Sequence, residues 1–387
     1  MRLALISSML LSDTNGGAEA YVEDAARALA ERHDVVVLTG SAATLDDVTT
    51  IRLPALPILD RSRPPAVRVL WHALDQWLPS VHVALSHELK RFEPDVVVTH
   101  HPQGLSAAVF TAIAVRRLPH VHTAHDLNIL CARTTMTRNG EFCGGRCAGC
   151  RVQRTFRGGA IKLDLSRLIG VSRYICQRHI QAGIVPAERA KPIRLGAKPG
   201  TARLRMVPEG ELTLGFIGTL APHKGVRTLL AAVEDSDLPW RLLVAGRGPL
   251  DEEVAAAAQR DPRIEPVGQV RGREKDRFFD RLDLVVIPSE WEEPATFVAA
   301  EAAVRGIPAV VSARGGLPET PESHAFRSGD AEELRRAVAW FVEEPERLES
   351  ASGRLLAHRG EFEWSTHMSR VEDLLEEVAS ERGRSSR

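Results

Sequence analysis

Glu292-Glu293-Pro294-Ala295-Thr296-Phe297-Val298-Ala299-Ala300-Glu301-Ala302-Ala303-Val304-Arg305-Gly306 is the stretch that decides the fold. Asp283-Leu284-Val285-Val286-Ile287-Pro288-Ser289 precedes it, an apolar run of strand length closed by turn residues. Ile307-Pro308-Ala309-Val310-Val311-Ser312 follows as a second buried strand. Strand, helix, strand is a βαβ unit, the building block of a parallel α/β sheet. Pro294 suits the first helical turn, where its missing N–H has no intrahelical partner, and Gly306 suits a left-handed stop. On such a helix Glu293 and Glu301 share one face, about 12 Å apart. A glycoside hydrolase holds its carboxylates about 5–9.5 Å apart, so this spacing suits gripping two parts of one elongated ligand. Free N–H groups at the helix start would take an anion such as a diphosphate between them. A solvated helix with two stray glutamates is the plain alternative.

The chain has 387 residues and 44% hydrophobic content, enough for two cores, so two domains are expected. Net charge is −1, which argues against nucleic acid as a partner. The basic residues are 44 Arg against 6 Lys, a coding bias and not a recognition surface. No run approaches 18 apolar residues, so no spanning helix is expected. The N-terminus lacks a signal-peptide pattern, because Met1 to Ile6 reads directly as a strand. The location expected is cytoplasmic.

Outward from the deciding stretch, the same pattern recurs. Leu3 to Ser8 is a first strand; the loop Leu11 to Glu19 contains Asn15-Gly16-Gly17, and a helix follows with Ala18, Tyr21, Val22, Ala25, Ala26 and Leu29 on one face. Glycines between a first strand and a first helix let a ligand approach backbone N–H groups. Val35 to Thr39 is a second strand; Leu53 to Pro65 is a Pro-rich surface excursion, and Trp71, Leu74, Trp77 and Leu78 recur at helical spacing. Asp95 to His101 and Val121 to Asp126 are buried strands ending in histidines, and Leu168 to Ser172 is the last strand of the first domain. From Arg151 to Arg205 the chain is strongly basic, either a solvated face or one drawn to an anionic membrane surface or acceptor. The second α/β half opens with Leu212 to Leu220, and Lys224 sits at the turn into its first helix, where an ammonium reaches a diphosphate. Trp240 to Ala245, Ile264 to Val270, Leu284 to Pro288 and Ile307 to Ser312 complete that sheet. Asp235-Ser236-Asp237 reads as a turn, not a metal motif. The tail from Glu381 on is polar and expected to fray.

Glu293-x7-Glu301 after Pro288-Ser289, followed by Arg305-Gly306-Ile307-Pro308 and Gly315-Gly316-Leu317-Pro318-Glu319, resembles the nucleotide-sugar site of glycosyltransferase family 4. The resemblance implies two Rossmann-like domains facing across a cleft (the GT-B fold) and retaining, metal-independent sugar transfer. It divides the chain into residues 1–195 on the acceptor side, a linker at 196–211, a nucleotide-sugar domain at 212–362, and a helix at 363–387 crossing back. It implies that Glu293 holds hydroxyls of the transferred sugar and Glu301 the ribose of the nucleotide. Gly16 and Gly17 match a Gly-Gly-x-Glu segment near the donor phosphates, and His125 matches a His-Asp pair facing the reacting sugar, with His100 and His101 as further acceptor-side candidates. Lys224, with Gly218 and Thr219 before it, matches the phosphate-binding Arg-and-Lys segment, although Thr219 stands where the family has Arg. Ala295-Thr296-Phe297 continues the donor site where Phe-Gly is usual. The donor implied is a UDP- or GDP-sugar. The sequence does not identify the acceptor; a natural product, a lipid-linked molecule or a saccharide is the kind expected, with no cofactor expected for catalysis.

Cys131, Cys143, Cys147 and Cys150 crowd one loop, 131–150, and a subset of family 4 resembles it there. Cys-x3-Cys-x2-Cys is a radical-SAM spacing, but Gly149 replaces the usual aromatic. Four thiolates suit a structural Zn²⁺ as well, and a reducing cytoplasm disfavours disulfides. Two other classes stay open: a nucleotide-sugar-binding protein with a decayed site, and an iron–sulfur enzyme using this loop.

Overall fold

The computed structural model describes residues 1–11, 16–57, 59, 63–138, 141–144, 147–234, 236 and 239–385. Residues 12–15 of the glycine loop, Asp235, Asp237, Gly145, Arg146 and the last two residues lie outside that set. Contacts divide the chain into two compact units, the first made of Met1–Met136, Cys143–Ile193 and Met368–Arg387, the second of Thr137–Phe142 and Arg194–His367.

The strands of the first half are β1 (Arg2–Ser7), β2 (Asp34–Thr39), β3 (Thr49–Arg52), β4 (Val96–Thr99), β5 (His120–Ala124), the short β6 (Thr137–Arg138) and β7 (Glu141–Phe142), β8 (Leu165–Gly170) and β9 (Ala190–Pro192). Seven of them form one sheet in the order β3-β2-β1-β4-β5-β8-β9, parallel throughout, while β6 and β7 pair only with each other. The second unit carries β10 (Leu212–Ile217), β11 (Trp240–Ala245), β12 (Ile264–Gly268), β13 (Leu284–Ile287), β14 (Ala309–Ser312) and β15 (Ser323–Phe326). Their order is β12-β11-β10-β13-β14-β15, again all parallel.

The core follows from the period of two. Leu212, Leu214, Phe216, Leu242, Val244, Leu284 and Val286 pack on one face of the second sheet. Leu243, Ala245, Val285, Ile287 and Val311 pack on the other, against Phe278 and Phe279. A parallel sheet covered by helices on both faces needs continuous apolar runs, and burying each such side chain contributes about 1.5–3 kcal/mol.

The structure departs from the sequence reading in several places. Strands β3, β9 and β15 were not expected. Trp77 and Leu78 fall outside the helix Pro65–Leu74, and Trp77 is 45% exposed. The expected linker is packed onto the second unit: the Ala197 N–H donates to the Phe362 carbonyl at 2.9 Å, the Arg205 N–H to Ser352 Oγ at 2.8 Å, and Arg205 is 1% exposed. The final helix, Trp364–Ser385, runs into the tail expected to fray. The basic run 151–205 is not one solvated face. Arg157 is fully buried on Asp75 at 2.7 Å, and Arg167 pairs with Glu377 and Glu381. No helix among the described residues is long and apolar enough to cross a membrane.

Candidate active site

Open parallel sheets bind ligands at the carboxyl ends of the strands where the order reverses. The first sheet reverses between β1 and β4, the second between β10 and β13. Most of the residues singled out in the sequence stand at one of these two places.

In the second unit, Gly218 and Thr219 follow β10, and Thr219 is exposed. A 3-10 turn, Pro222–Lys224, leads to Gly225, whose φ is 72°. A Cβ on Gly225 would stand 1.9 Å from the Pro288 carbonyl oxygen, so only glycine permits the approach. That approach sets Lys224 against the segment after β13. Lys224 Nζ donates to Glu293 Oε2 at 2.7 Å and lies 5.1 Å from the Trp291 ring centroid. The same carboxylate oxygen accepts from Ser289 Oγ at 2.9 Å and Trp291 Nε1 at 2.8 Å. Glu293 is 6% exposed, and a buried carboxylate persists only with donors of this kind. Its backbone is clamped as well: Gly316 N–H donates to the Glu293 carbonyl at 2.7 Å, and a Cβ on Gly315 would stand 2.2 Å from that oxygen.

The helix after Glu293 starts later than expected. It spans Phe297–Ala303, and Thr296 caps it, accepting from the Val298 N–H at 3.2 Å. Pro294 therefore precedes the helix, because a hydroxyl cap satisfies an orphan N–H and proline offers none. Glu293 lies in the approach to the helix while Glu301 lies on it, so the one-face, two-turn spacing of the pair does not hold. Ala295, Thr296 and Phe297 are half-buried at the helix start, and Gly306 is left-handed at φ 71°. Glu301 pairs with Lys275 Nζ, from the helix Arg273–Asp280.

In the first unit Gly16 is the N-cap of the helix Gly17–Ala30, and Gly17 is its first residue. His100 and His101 follow β4; His125 and Asp126 follow β5. The pairing crosses the sequence order. His125 Nε2 meets His100 Nδ1 at 3.2 Å with the rings stacked, and the Tyr21 ring stands edge-on to His125 at 4.6 Å. Asp126 pairs instead with His101 Nε2 at 3.2 Å, while Ser8 Oγ meets His101 Nδ1 at 3.2 Å. Burial holds the His100 pKa near 3, so its ring is neutral at pH 7. Burial works against a charged His101 too, but the charge and hydrogen bond of Asp126 and the charge of Glu19 outweigh it and raise its pKa. Asp126, raised by burial, is carried below the usual carboxylate range mainly by His101. A neutral His100, in contact with His125, thus sits beside the His101–Asp126 pair.

Cys131, Cys143, Cys147 and Cys150 are all free thiols of the first unit. The Cys150 thiol donates to the Cys131 sulfur and draws the Cys131 pKa down to about 6, against the effect of burial.

Sequence reasoning missed Lys275, Trp291 and the His101–Asp126 pairing. Lysine is rare here, 6 residues in the chain, which would have marked Lys275. Its meeting with Glu301, 26 residues away, is tertiary and leaves no local signal.

Residues 15–198 match the family described as Glycosyltransferase Family 4, and residues 211–344 match Glycosyl transferases group 1. A GDP-mannose-dependent alpha-mannosyltransferase of Corynebacterium glutamicum is 26% identical over 336 residues, 82% of this chain and 73% of that protein. An uncharacterized 42.6 kDa protein of the Klebsiella pneumoniae cps region is 24% identical over 334 residues, 82% of this chain and 87% of its own length. Among solved structures, sucrose-phosphate synthase from Thermosynechococcus elongatus aligns over 98% of this chain and 99% of its own, with TM-score 0.76 and 19% identity. Anabaena HepE in complex with UDP aligns over 97% of this chain and 100% of its own, with TM-score 0.71 and 18% identity. Both halves of the chain, matched in order and built on two parallel switch-point sheets, belong to glycosyltransferase family 4, and the protein is a glycosyltransferase of the GT-B fold.

Proposed function

We propose that this protein is a retaining glycosyltransferase that moves a sugar from a nucleoside diphosphate sugar to an acceptor hydroxyl. The observation that carries the reading is the knot at the second switch point, where one buried carboxylate, Glu293, gathers Lys224, Ser289 and Trp291. Glu293 would hold sugar hydroxyls, and Glu301 the ribose. Without ligand each carboxylate is neutralised by an ammonium, Lys224 or Lys275. An arriving diphosphate offers Lys224 a second anion. As the sugar departs, negative charge grows on the leaving oxygens, and an ammonium fixed beside them stabilises that charge more than the ground state. The carboxylate oxygen of Glu293 that holds Lys224 keeps the ammonium aimed. This neutralisation relies on side chains and backbone N–H groups and calls for no metal.

UDP- and GDP-sugars are the donors favoured, since the HepE structure holds UDP and the corynebacterial relative is named for GDP-mannose. His125, in contact with His100 and Tyr21, is the acceptor-side residue of the reading. A lipid-linked acceptor, with peripheral contact at a membrane surface, would suit the exposed Val67, Val69 and Leu70 beside Arg68. The test is a donor panel of UDP-, GDP-, TDP- and ADP-sugars, scored by donor hydrolysis and by the anomeric configuration of any product. One donor consumed, and not by Glu293→Ala, is expected. A folded protein that binds donors and turns over none is a decayed binding protein, and an inverted product removes the retaining mechanism.

A further inference from the structure

The segment after His125-Asp126 carries chemistry that sugar transfer does not use. Cys131, Cys143, Cys147 and Cys150 fall within 20 residues, and the only strand pairing there among the described residues is β6 with β7. A loop of this length with so little regular structure needs something else to hold its shape.

Its backbone is already arranged around sulfur. The N–H groups of Arg133, Thr134 and Met136 donate to the Cys131 sulfur, and that of Cys150 donates to the Cys147 sulfur. Donors gathered two to five residues after a cysteine are what a thiolate bound to a cation needs, because they take up the negative charge the cation leaves uncompensated. Cys147 is the N-cap of the helix Ala148–Ile161 and Cys150 lies in its first turn. The Cys143 N–H donates to the Met136 carbonyl at 2.9 Å, which returns the second arm of the loop to the Cys131 side. Cys131 and Cys150 are buried, 2% and 1% exposed.

Distances separate a metal from a disulfide. Cys147 Sγ and Cys150 Sγ are 3.4 Å apart. A tetrahedron with Zn–S bonds of about 2.3 Å sets its sulfurs about 3.8 Å apart, whereas a disulfide needs about 2.05 Å. The pair must open by about 0.4 Å for the metal and close by about 1.4 Å for the disulfide. Among the described residues no three of these sulfurs lie mutually within 4.8 Å; Cys150 contacts both Cys147 and Cys131, an open chain that an ion would close. His33, Glu372 and Glu376 do meet that distance, but Glu372 is taken up by ion pairs with Arg32 and His33.

We propose that Cys131, Cys143, Cys147 and Cys150 are the four thiolate ligands of a structural zinc ion that staples the loop to the helix Ala148–Ile161. Binding one Zn²⁺ takes all four sulfurs as thiolates, sends to solvent whatever protons they still carry, and oxidises nothing. The site leaves no open coordination position, so its role is shape and not catalysis.

The test uses the full chain. Metal analysis after expression with zinc is expected to give one zinc per chain, and Co²⁺ exchanged into the site should give the thiolate charge-transfer and tetrahedral d–d bands of four sulfur ligands. Cys143→Ser should lose the zinc and Cys176→Ser should keep it. If Cys143→Ser fails to fold, the Co²⁺ spectrum of the unaltered protein still decides. A chelator should make the four thiols reactive and strip hydrogen-exchange protection from peptides spanning 127–150. A chain that stays zinc-free when titrated with the metal overturns the proposal. So does a Cys147–Cys150 disulfide in the native peptide map, or stoichiometric iron with sulfide.

Discussion

Lowering the pH from 7.5 to 5.5 should destabilise the first unit through four histidines in and around its sheet. Burial holds His100 and His120 near pKa 3 and His179 near 4, and burial with neighbouring histidine charge holds His122 well below its usual value. All four are 4% exposed or less. In the unfolded chain each returns to about 6.5. Between those values the unfolded state binds more protons, so stability falls as pH falls. Over this interval each histidine costs about 1.4 kcal/mol and the four together about 5.4 kcal/mol. That is comparable with the whole stability of a typical domain, about 5–15 kcal/mol. His101 acts in the opposite sense: its raised pKa contributes stability that is fully present below about 6.5 and lost as pH rises through the folded value. Asp126 contributes above its ordinary value and loses that only in stronger acid. Urea titrations at the two pH values, read by hydrogen exchange in peptides covering β4 and β5, measure the change. His179→Gln should reduce the slope by about a quarter, since His179 is one of the four and only its Nδ1–H, donating to the Ile175 carbonyl at 2.9 Å, has a partner. Protection in β4 and β5 that stays level from pH 7.5 to 5.5 would refute the reasoning.

The second unit supplies the other predictions. Lys224→Ala should lower turnover by roughly two powers of ten, about 2.7 kcal/mol; near-normal turnover at saturating donor would mean that backbone dipoles alone hold the phosphates. Glu301→Ala should weaken binding of the free nucleoside diphosphate by about 1.5–3 kcal/mol, the loss of a charge-assisted hydrogen bond, whereas Glu293→Ala should depress turnover and leave that affinity nearly intact. Equal affinity losses by calorimetry would sink this division of roles. Thr219 is exposed, so Thr219→Arg should change stability by no more than about 0.5 kcal/mol, and donor binding measured beside wild type should be equal or tighter.

What was legible in the sequence follows from where the physics is local. The strands β10, β11, β13 and β14 read cleanly because they are buried along most of their length and their runs are almost entirely apolar. The edge strands β3, Thr49-Thr50-Ile51-Arg52, and β15, Ser323-His324-Ala325-Phe326, have one neighbour each and no apolar run to betray them. The helix start was misplaced because two local signals compete: Pro294 fits a first turn, yet the Thr296 hydroxyl makes the cap. His125-Asp126 reads as a pair on paper, but consecutive residues after a strand face different neighbours, and Asp126 reaches His101 instead. The glycines at 225 and 315 mark close approaches whose partners, Pro288 and Glu293, no spacing rule names.

The first unit is discontinuous, since residues from Met368 on belong to it. Val371, Leu374, Leu375 and Val378 are buried, and Glu372 and Glu377 complete ion pairs with Arg32 and Arg167. A ribosome therefore delivers the seven-stranded sheet long before the piece that finishes it. The later unit, all of whose residues up to His367 emerge first, can close before the earlier one does. During that delay Arg32 and Arg167 stand without the carboxylates of Glu372 and Glu377, and the apolar side chains of the last helix are not yet there to be buried, which makes the early half of the chain the client a chaperone would meet.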